Sequence, residues 1–135
     1  MMNDPKKTSV VLVIDDDPTH IRLMEKILTG AQYRVLLADD APVGLEMAMK
    51  QKPDLIVLDV MMPVINGFNI CRLLKSEEGV SGIPIILLTS RITEEDQRIG
   101  REVGADAYML KPLNTNEFLA KVRELLPTGD APGIS

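Results

Sequence analysis

Leu55, Ile56, Val57 and Leu58 form an aliphatic run with no polar residue in alternation, and the run ends abruptly at a carboxylate, Asp59. A strand with one wet face alternates apolar and polar side chains. One that does not is covered on both faces, as in a parallel sheet packed between helices. Similar runs fall at residues 10–14, 33–38, 85–88 and 107–110. The segments between them carry apolar residues at helical spacing and the usual start and stop signals. Asp17 with Pro18 opens the first, whose expected stripe is Ile21, Leu23, Met24, Ile27 and Leu28, up to Gly30. Asp40 with Pro42 opens the second, with Leu45, Met47, Ala48 and Met49 available for packing, and Pro53 closes it. Asn66-Gly67 leads into the third, with Phe68, Ile70, Cys71, Leu73 and Leu74 as its apolar set. Thr93 with Asp96 starts the fourth, ended by Gly104, and Asn114 with Glu117 starts the fifth, both close to a capping box. Strand and helix alternating in this way, at intervals that suit right-handed crossovers, specify an α/β fold: a three-layer α/β/α sandwich on a mostly parallel sheet.

The 135 residues match one domain, expected at 9–126, with a polar lead at 1–8 and a Pro/Gly-rich tail or linker stub at 127–135, both expected to be flexible. That length leaves no room for a second catalytic or DNA-reading domain within it. A formal net charge of -5 argues against direct nucleic acid binding, which needs a basic face, so proteins are the expected partners. A single cysteine, Cys71, excludes an internal disulfide framework and is expected as buried filler in a helix. No run approaches the roughly eighteen apolar residues of a membrane span, and the lead lacks a signal-peptide core. The expectation is a cytoplasmic chain without membrane insertion.

Parallel strands place their carboxyl ends on one edge, where ligands bind in sheets of this class. The residues at which the apolar runs stop are Asp15 and Asp16, Asp59, Thr89 and Lys111. They converge if the first, third, fourth and fifth strands are neighbours. Carboxylates a few ångströms apart repel unless compensated, and a hard divalent cation removes the conflict. Mg2+ accepts carboxylates, retained waters and a phosphate oxygen in octahedral array, which this inventory supplies; no His or Cys set suggests zinc. Lys111 suits a carboxylate or an incoming phosphoryl oxygen, and Thr89 offers a donor to another. A carboxylate flanked by cation, ammonium and hydroxyl is a plausible nucleophile toward phosphorus, and Asp59, alone on the central strand, is the best placed. Each residue also has an ordinary use: Asp15 to Asp17 and Asp59 as caps, Thr89 as a strand-end polar group, Lys111 as a solvated charge. Their coincidence, with Met62-Pro63 after Asp59 and Pro112 after Lys111, favours a site.

The motifs Val13-Ile14-Asp15-Asp16-Asp17, Leu58-Asp59-Val60-Met61-Met62-Pro63 with Gly67, Leu87-Leu88-Thr89-Ser90, and Gly104-Ala105-Asp106-Ala107-Tyr108-Met109-Leu110-Lys111-Pro112 resemble the receiver domain of a bacterial two-component response regulator, of the chemotaxis-receiver kind. The resemblance spans nearly the whole chain. It implies a flavodoxin-like five-stranded parallel sheet of order 2-1-3-4-5, and a phosphorylation-switched signalling module rather than a turnover enzyme. It implies Asp59 as phosphoacceptor, charged from a histidine kinase or phosphotransfer protein. Mg2+ is implied on Asp16, Asp59 and the backbone carbonyl of Met61, with Asp15 acting through a metal-bound water. Thr89 and Lys111 are implied to hold the phosphoryl group, and the Lys111–Pro112 bond is expected to be cis. A switch is implied in which Thr89 moves toward the phosphoryl group and Tyr108 turns inward, altering the face of the fourth helix, fifth strand and fifth helix toward a downstream protein target. Met61 and Arg91 stand where the family tunes phosphoryl lifetime, and the small Ser90 leaves access. Asp106-Ala107 departs from the Asp-Asp pair common in regulators that dimerise through that face, which argues against that dimer here.

His20, near the acidic turn, is expected as a surface or cap-adjacent residue, since nothing around it resembles a phosphotransfer histidine module. Asp39 and Asp40 are expected as turn and cap residues on an edge strand. The charges Glu94, Glu95, Arg98, Arg101 and Glu102 suit a solvated helix face. Two other functions fit parts of the pattern. A Mg2+-dependent phosphatase with an aspartyl nucleophile calls for Asp-x-Asp after the first strand and would turn over phosphate monoesters. A flavodoxin-like cofactor carrier calls for a phosphate-cradling loop where this chain has three Asp residues, and flavin would copurify with it.

Overall fold

The computed structural model describes residues 8–62, 65–90, 93–111 and 113–126. Its elements run β1 (Val10–Ile14), α1 (Pro18–Gly30), β2 (Arg34–Ala38), α2 (Ala41–Gln51), β3 (Leu55–Asp59), α3 (Gly67–Ser76), β4 (Ile85–Thr89), α4 (Glu94–Glu102), β5 (Ala107–Leu110) and α5 (Thr115–Leu125). The strands form one sheet in the order β2-β1-β3-β4-β5, with every pairing parallel. This is the order and the flavodoxin-like sandwich that the resemblance implies. Pro63, Arg91, the Lys111–Pro112 bond with its expected cis geometry, and the expected lead (save Thr8) and tail lie outside the described residues.

The unalternating runs are explained by a core on each side of the sheet. On one face Val11, Val13, Leu55, Val57, Ile86 and Leu88 pack against Ile21, Met24 and Leu28 of α1 and Phe118 and Val122 of α5. On the other, Leu12, Ile14, Ile56, Leu58, Ile85 and Leu87 pack against Ala48 of α2 and Ile70, Cys71 and Leu74 of α3. Every residue of β3 and β4 is buried. The helices start where the capping residues stand: Asp17, Asp40, Asn66, Thr93 and Asn114 each accept a backbone N–H from the first turn that follows.

Two expected core residues are not in the core. Leu23 and Leu73 are exposed, because the buried stripes are Ile21-Met24-Leu28 and Ile70-Cys71-Leu74, and each leucine falls on the opposite side of its helix. The second strand begins at Arg34; Tyr33 lies in the connection, where its N–H donates to Leu28 O at 3.1 Å. Gly67 sets the approach of α3 to the end of β3. A Cβ there would lie 2.6 Å from Asp59 O and 2.8 Å from Val60 Cα, which only glycine avoids. Among the described residues no helix is long and apolar enough to cross a membrane.

Candidate functional site

The pleat decides which strand-end side chains meet. Asp15 continues the register of Val11 and Val13, Asp59 that of Leu55 and Val57, and Lys111 that of Ala107 and Met109, all on the α1/α5 face. Ile14 pairs with Leu58, so Asp15 and Asp59 leave the sheet side by side at its carboxyl edge. Asp59 pairs in turn with Leu88, and Thr89 with Leu110. Lys111 N–H donates to Thr89 O at 2.7 Å, which draws the end of β5 in against β4. Thr89 follows the other register, with Ile85 and Leu87, on the face where Tyr108 lies opposite Leu87.

Within this edge the charges are tightly grouped. One carboxylate oxygen from each of Asp15, Asp16 and Asp59 lies within 4.8 Å of the others. Asp15 and Asp59 are 1% and 5% exposed, as buried as Thr89 at 1%, whereas Asp16 faces solvent. Lys111 Nζ stands 3.4 Å from Asp59 Oδ1 and 3.6 Å from Asp15 Oδ2. Asp59 Oδ1 also accepts the Met61 N–H at 3.2 Å, while the Met61 side chain is largely exposed. Asp15 Oδ1 accepts the Asp17 N–H at 2.9 Å, and its Oδ2 meets His20 Nδ1 at 2.5 Å.

These contacts pull the two buried carboxyls apart. Burial drives the Asp59 pKa up, the charge of Asp15 adds to the rise, and Lys111 and the Met61 N–H offset it only in part. Burial also opposes ionisation of Asp15, but the His20 hydrogen bond, the Asp17 N–H and Lys111 together outweigh it and leave that carboxyl below its ordinary value. Asp15 is thus the more readily ionised member, and Asp59 the one whose negative charge is under-compensated.

His20 corrects the sequence reading. It is cap-adjacent, its backbone N–H reaching Asp17 Oδ1 at 3.4 Å, but it is not a surface residue. Its side chain is only 12% exposed and its ring closes on Asp15. The available signal was its place as the third residue of α1: side chains in a first helical turn point back toward the helix start, here toward the acidic edge. Asp39 is exposed and Asp40 caps α2, as expected. The Tyr108 hydroxyl is buried, with its ring 6.1 Å from that of Phe68.

The donor set suits a hard divalent cation. Among the described residues three carboxylates face one ammonium, the donors are oxygens, and Asp59 has its pKa raised by burial and by a neighbouring negative charge that a cation would neutralise. A profile of the response regulator receiver domain matches residues 11–123. The chain belongs to this family. Receiver domains accept phosphoryl groups from histidine kinases in two-component signalling, and they bind Mg2+ at an acidic pocket.

Among its relatives, the response regulator PleD of Caulobacter vibrioides is 41% identical over 115 residues, 85% of this chain and 25% of PleD. The DNA-binding dual master transcriptional regulator RpaA of Synechocystis is 40% identical over 120 residues, 89% of this chain and 50% of RpaA. The chain therefore spans a quarter to a half of the curated relatives it matches here. Among solved structures, the chemotaxis protein CheY4 of Vibrio cholerae superposes with a TM-score of 0.84 at 30% identity, covering 88% of this chain and 99% of that one. The receiver domain of the sensor histidine kinase PA1611 from Pseudomonas aeruginosa, solved with magnesium coordinated in its active-site cleft, gives 0.81 at 26% identity, covering 87% of this chain and 97% of that one.

Proposed function

We propose that Asp59 is the phosphoacceptor of this receiver, and that Thr89 and Lys111 hold the transferred group. The observation that carries this reading is the environment of Asp59: a buried carboxylate at the carboxyl end of the central strand, with an ammonium 3.4 Å away and two further carboxylates in reach of one cation. In the transfer a carboxylate oxygen of Asp59 bonds to phosphorus as the P–N bond of a phosphohistidine on the partner breaks. The imidazole leaves with the bonding electrons. Lys111, shared between Asp15 and Asp59 at long range, has only to shift toward the incoming phosphoryl oxygen to stabilise it, and Thr89 donates to another oxygen. Asp15, Asp16, Asp59 and the Met61 carbonyl would hold Mg2+, with Asp15 acting through a water. That ion, when bound, supplies charge neutralisation between the attacking carboxylate and the phosphoryl oxygens.

The receiver unit is taken as residues 9–126, acting in the cytoplasm. It catalyses only its own phosphorylation and dephosphorylation. Its output is a protein-binding surface formed by α4, β5 and α5, altered when Thr89 and Tyr108 rearrange together; both lie on the same sheet face, Tyr108 pairing with Leu87, two residues before Thr89. The donor is a histidine kinase or a phosphotransfer protein, the target is a protein, and the receiver itself does not contact nucleic acid. Asp106 supports a different use of this face from the regulators that dimerise through it. Its carboxylate is held within the chain, by Lys75 Nζ at 2.9 Å and the Ile85 N–H at 2.9 Å.

Incubation with a small-molecule phosphodonor and Mg2+ tests the reading. The wild-type chain should gain one phosphoryl group by intact mass, and Asp59→Asn should gain none. Equal labelling of the variant would reject Asp59.

A further inference from the structure

We infer that His20 is a positioning residue of this site, fixing the Asp15 carboxylate for a divalent cation so that its orientation does not depend on Lys111. The inference rests on the site reading proposed above and adds to it a residue outside its motifs.

The distances divide the work between the two nitrogen donors that reach Asp15 Oδ2. Lys111 Nζ stands 3.6 Å from Asp15 Oδ2 and 3.4 Å from Asp59 Oδ1, beyond the roughly 3.2 Å limit of a good N–H···O hydrogen bond. Its hold on Asp15, at 3.6 Å, is Coulombic and not directional. His20 Nδ1, by contrast, meets Asp15 Oδ2 at hydrogen-bonding distance, and the Asp17 N–H meets Oδ1 at 2.9 Å. An ionised carboxylate only accepts, so the Nδ1 proton lies on the ring and is donated to Asp15. The plane of the Asp15 carboxylate is therefore set by two donors on one short segment, the cap and first turn of α1. Removing Lys111 from Asp15 during phosphoryl transfer leaves that plane unchanged.

His20 is itself well anchored. Its backbone N–H is on the cap residue Asp17, its ring is largely buried, and the next residue, Ile21, begins the buried stripe that fastens α1 to the sheet. Among the described residues the ring has no other hydrogen bond: Nε2 is buried and finds no partner there, so the orientation of the imidazole is committed to Asp15 through Nδ1. A carboxylate that serves a cation, directly or through water, works best when an outer hydrogen bond holds its lone pairs in place, and losing such a partner costs roughly 10–100-fold in metal affinity. An aliphatic residue at this position would fill the space and leave Asp15 Oδ2 with only the long contact to Lys111. An asparagine would return an N–H donor close to the position of Nδ1.

Mg2+ titration by isothermal calorimetry on the wild type, His20→Leu, His20→Asn and the pairing of His20→Leu with Asp15→Asn tests this, with folding of each variant checked by its thermal midpoint in chelator. His20→Leu should weaken Mg2+ binding about tenfold, and His20→Asn should restore most of that loss. In the Asp15→Asn background, His20→Leu should cost nothing further, because the effect passes through Asp15. At saturating Mg2+, phosphorylation of His20→Leu by a small phosphodonor should approach the wild-type rate, the defect residing in the Mg2+ concentration required. Wild-type affinity in His20→Leu, or an asparagine variant as weak as the leucine variant, overturns the role given to His20 and leaves the site standing. Failure of the wild type to bind Mg2+ overturns the site reading beneath it.

Discussion

Asp59 is held in place against two penalties, burial and the charge of Asp15, and both raise its pKa. Without a divalent cation the native state carries that cost at neutral pH, so Asp59→Asn should raise the thermal midpoint in chelator, at roughly 4 °C per kcal/mol recovered. The sign of the pH dependence follows from the direction of the shift. A carboxyl with a raised native pKa costs nothing once protonated in both states, and its cost is complete only above the native pKa. The stabilisation from Asp59→Asn should therefore be larger at about pH 7.5 than at about pH 4, read by melting both proteins across that range. Cys71, buried beneath α3, has its thiol pushed up to about 11 from an ordinary 9.0, chiefly by burial. At about pH 8 it should react with an aromatic disulfide reagent far more slowly in the native protein than in denaturant. Its protonated state favours folding fully below pH 9.0 and loses that contribution as pH rises through about 11, a change of about 2–3 kcal/mol. At this scale the sequence made Asp15, Asp16, Asp59, Thr89 and Lys111 legible as stopping points of apolar runs, because a parallel sheet collects such residues on one edge. It did not make His20 legible. Its place in the first turn of α1 points the side chain back toward the acidic edge, but no run or motif says which carboxylate it meets.

Between residues and fold stand the helix entries, and α3 shows how tightly they are set. Gly67→Ala would drive a Cβ into the backbone of Asp59 and Val60, atoms that cannot step aside without moving the end of β3. We expect a loss of about 1–3 kcal/mol and slower phosphorylation, measured by denaturant titration and by the small-phosphodonor assay. Gly30→Ala is the contrasting case. Nothing lies within 4 Å of a Cβ at the last residue of α1, so alanine there should be neutral or stabilise by up to about 1 kcal/mol. Element boundaries were readable because caps are local: Asp17, Asp40, Asn66, Thr93 and Asn114 each bond backbone within their own turn. Helix faces were less so. Leu23 and Leu73 are apolar and sit next to stripe positions in sequence, and only the angular offset from Met24 and Leu74 shows that they face out.

Across the whole molecule, the sheet sorts the strand-end side chains onto its two faces. The α1/α5 face delivers Asp15, Asp59 and Lys111 to one edge, while Thr89 and Tyr108 share the register of the opposite face, beneath α4. Under the proposed function, an event at Asp59 would pass through the β3-to-β4 pairing and Thr89 to the face that carries Tyr108. The strand order that makes this possible could not come from the runs alone, since five parallel strands admit several orders, and it entered through the motifs. The central claim is that one aspartyl oxygen takes the phosphoryl group. It is tested most directly by phosphorylating the chain with a small phosphodonor and Mg2+, trapping the acyl phosphate by borohydride reduction to homoserine, and locating the product by peptide mass spectrometry. The account predicts homoserine at position 59 and nowhere else; homoserine at Asp15 or Asp16, or a phosphoryl group that resists reduction because it sits on a hydroxyl or imidazole, would contradict it.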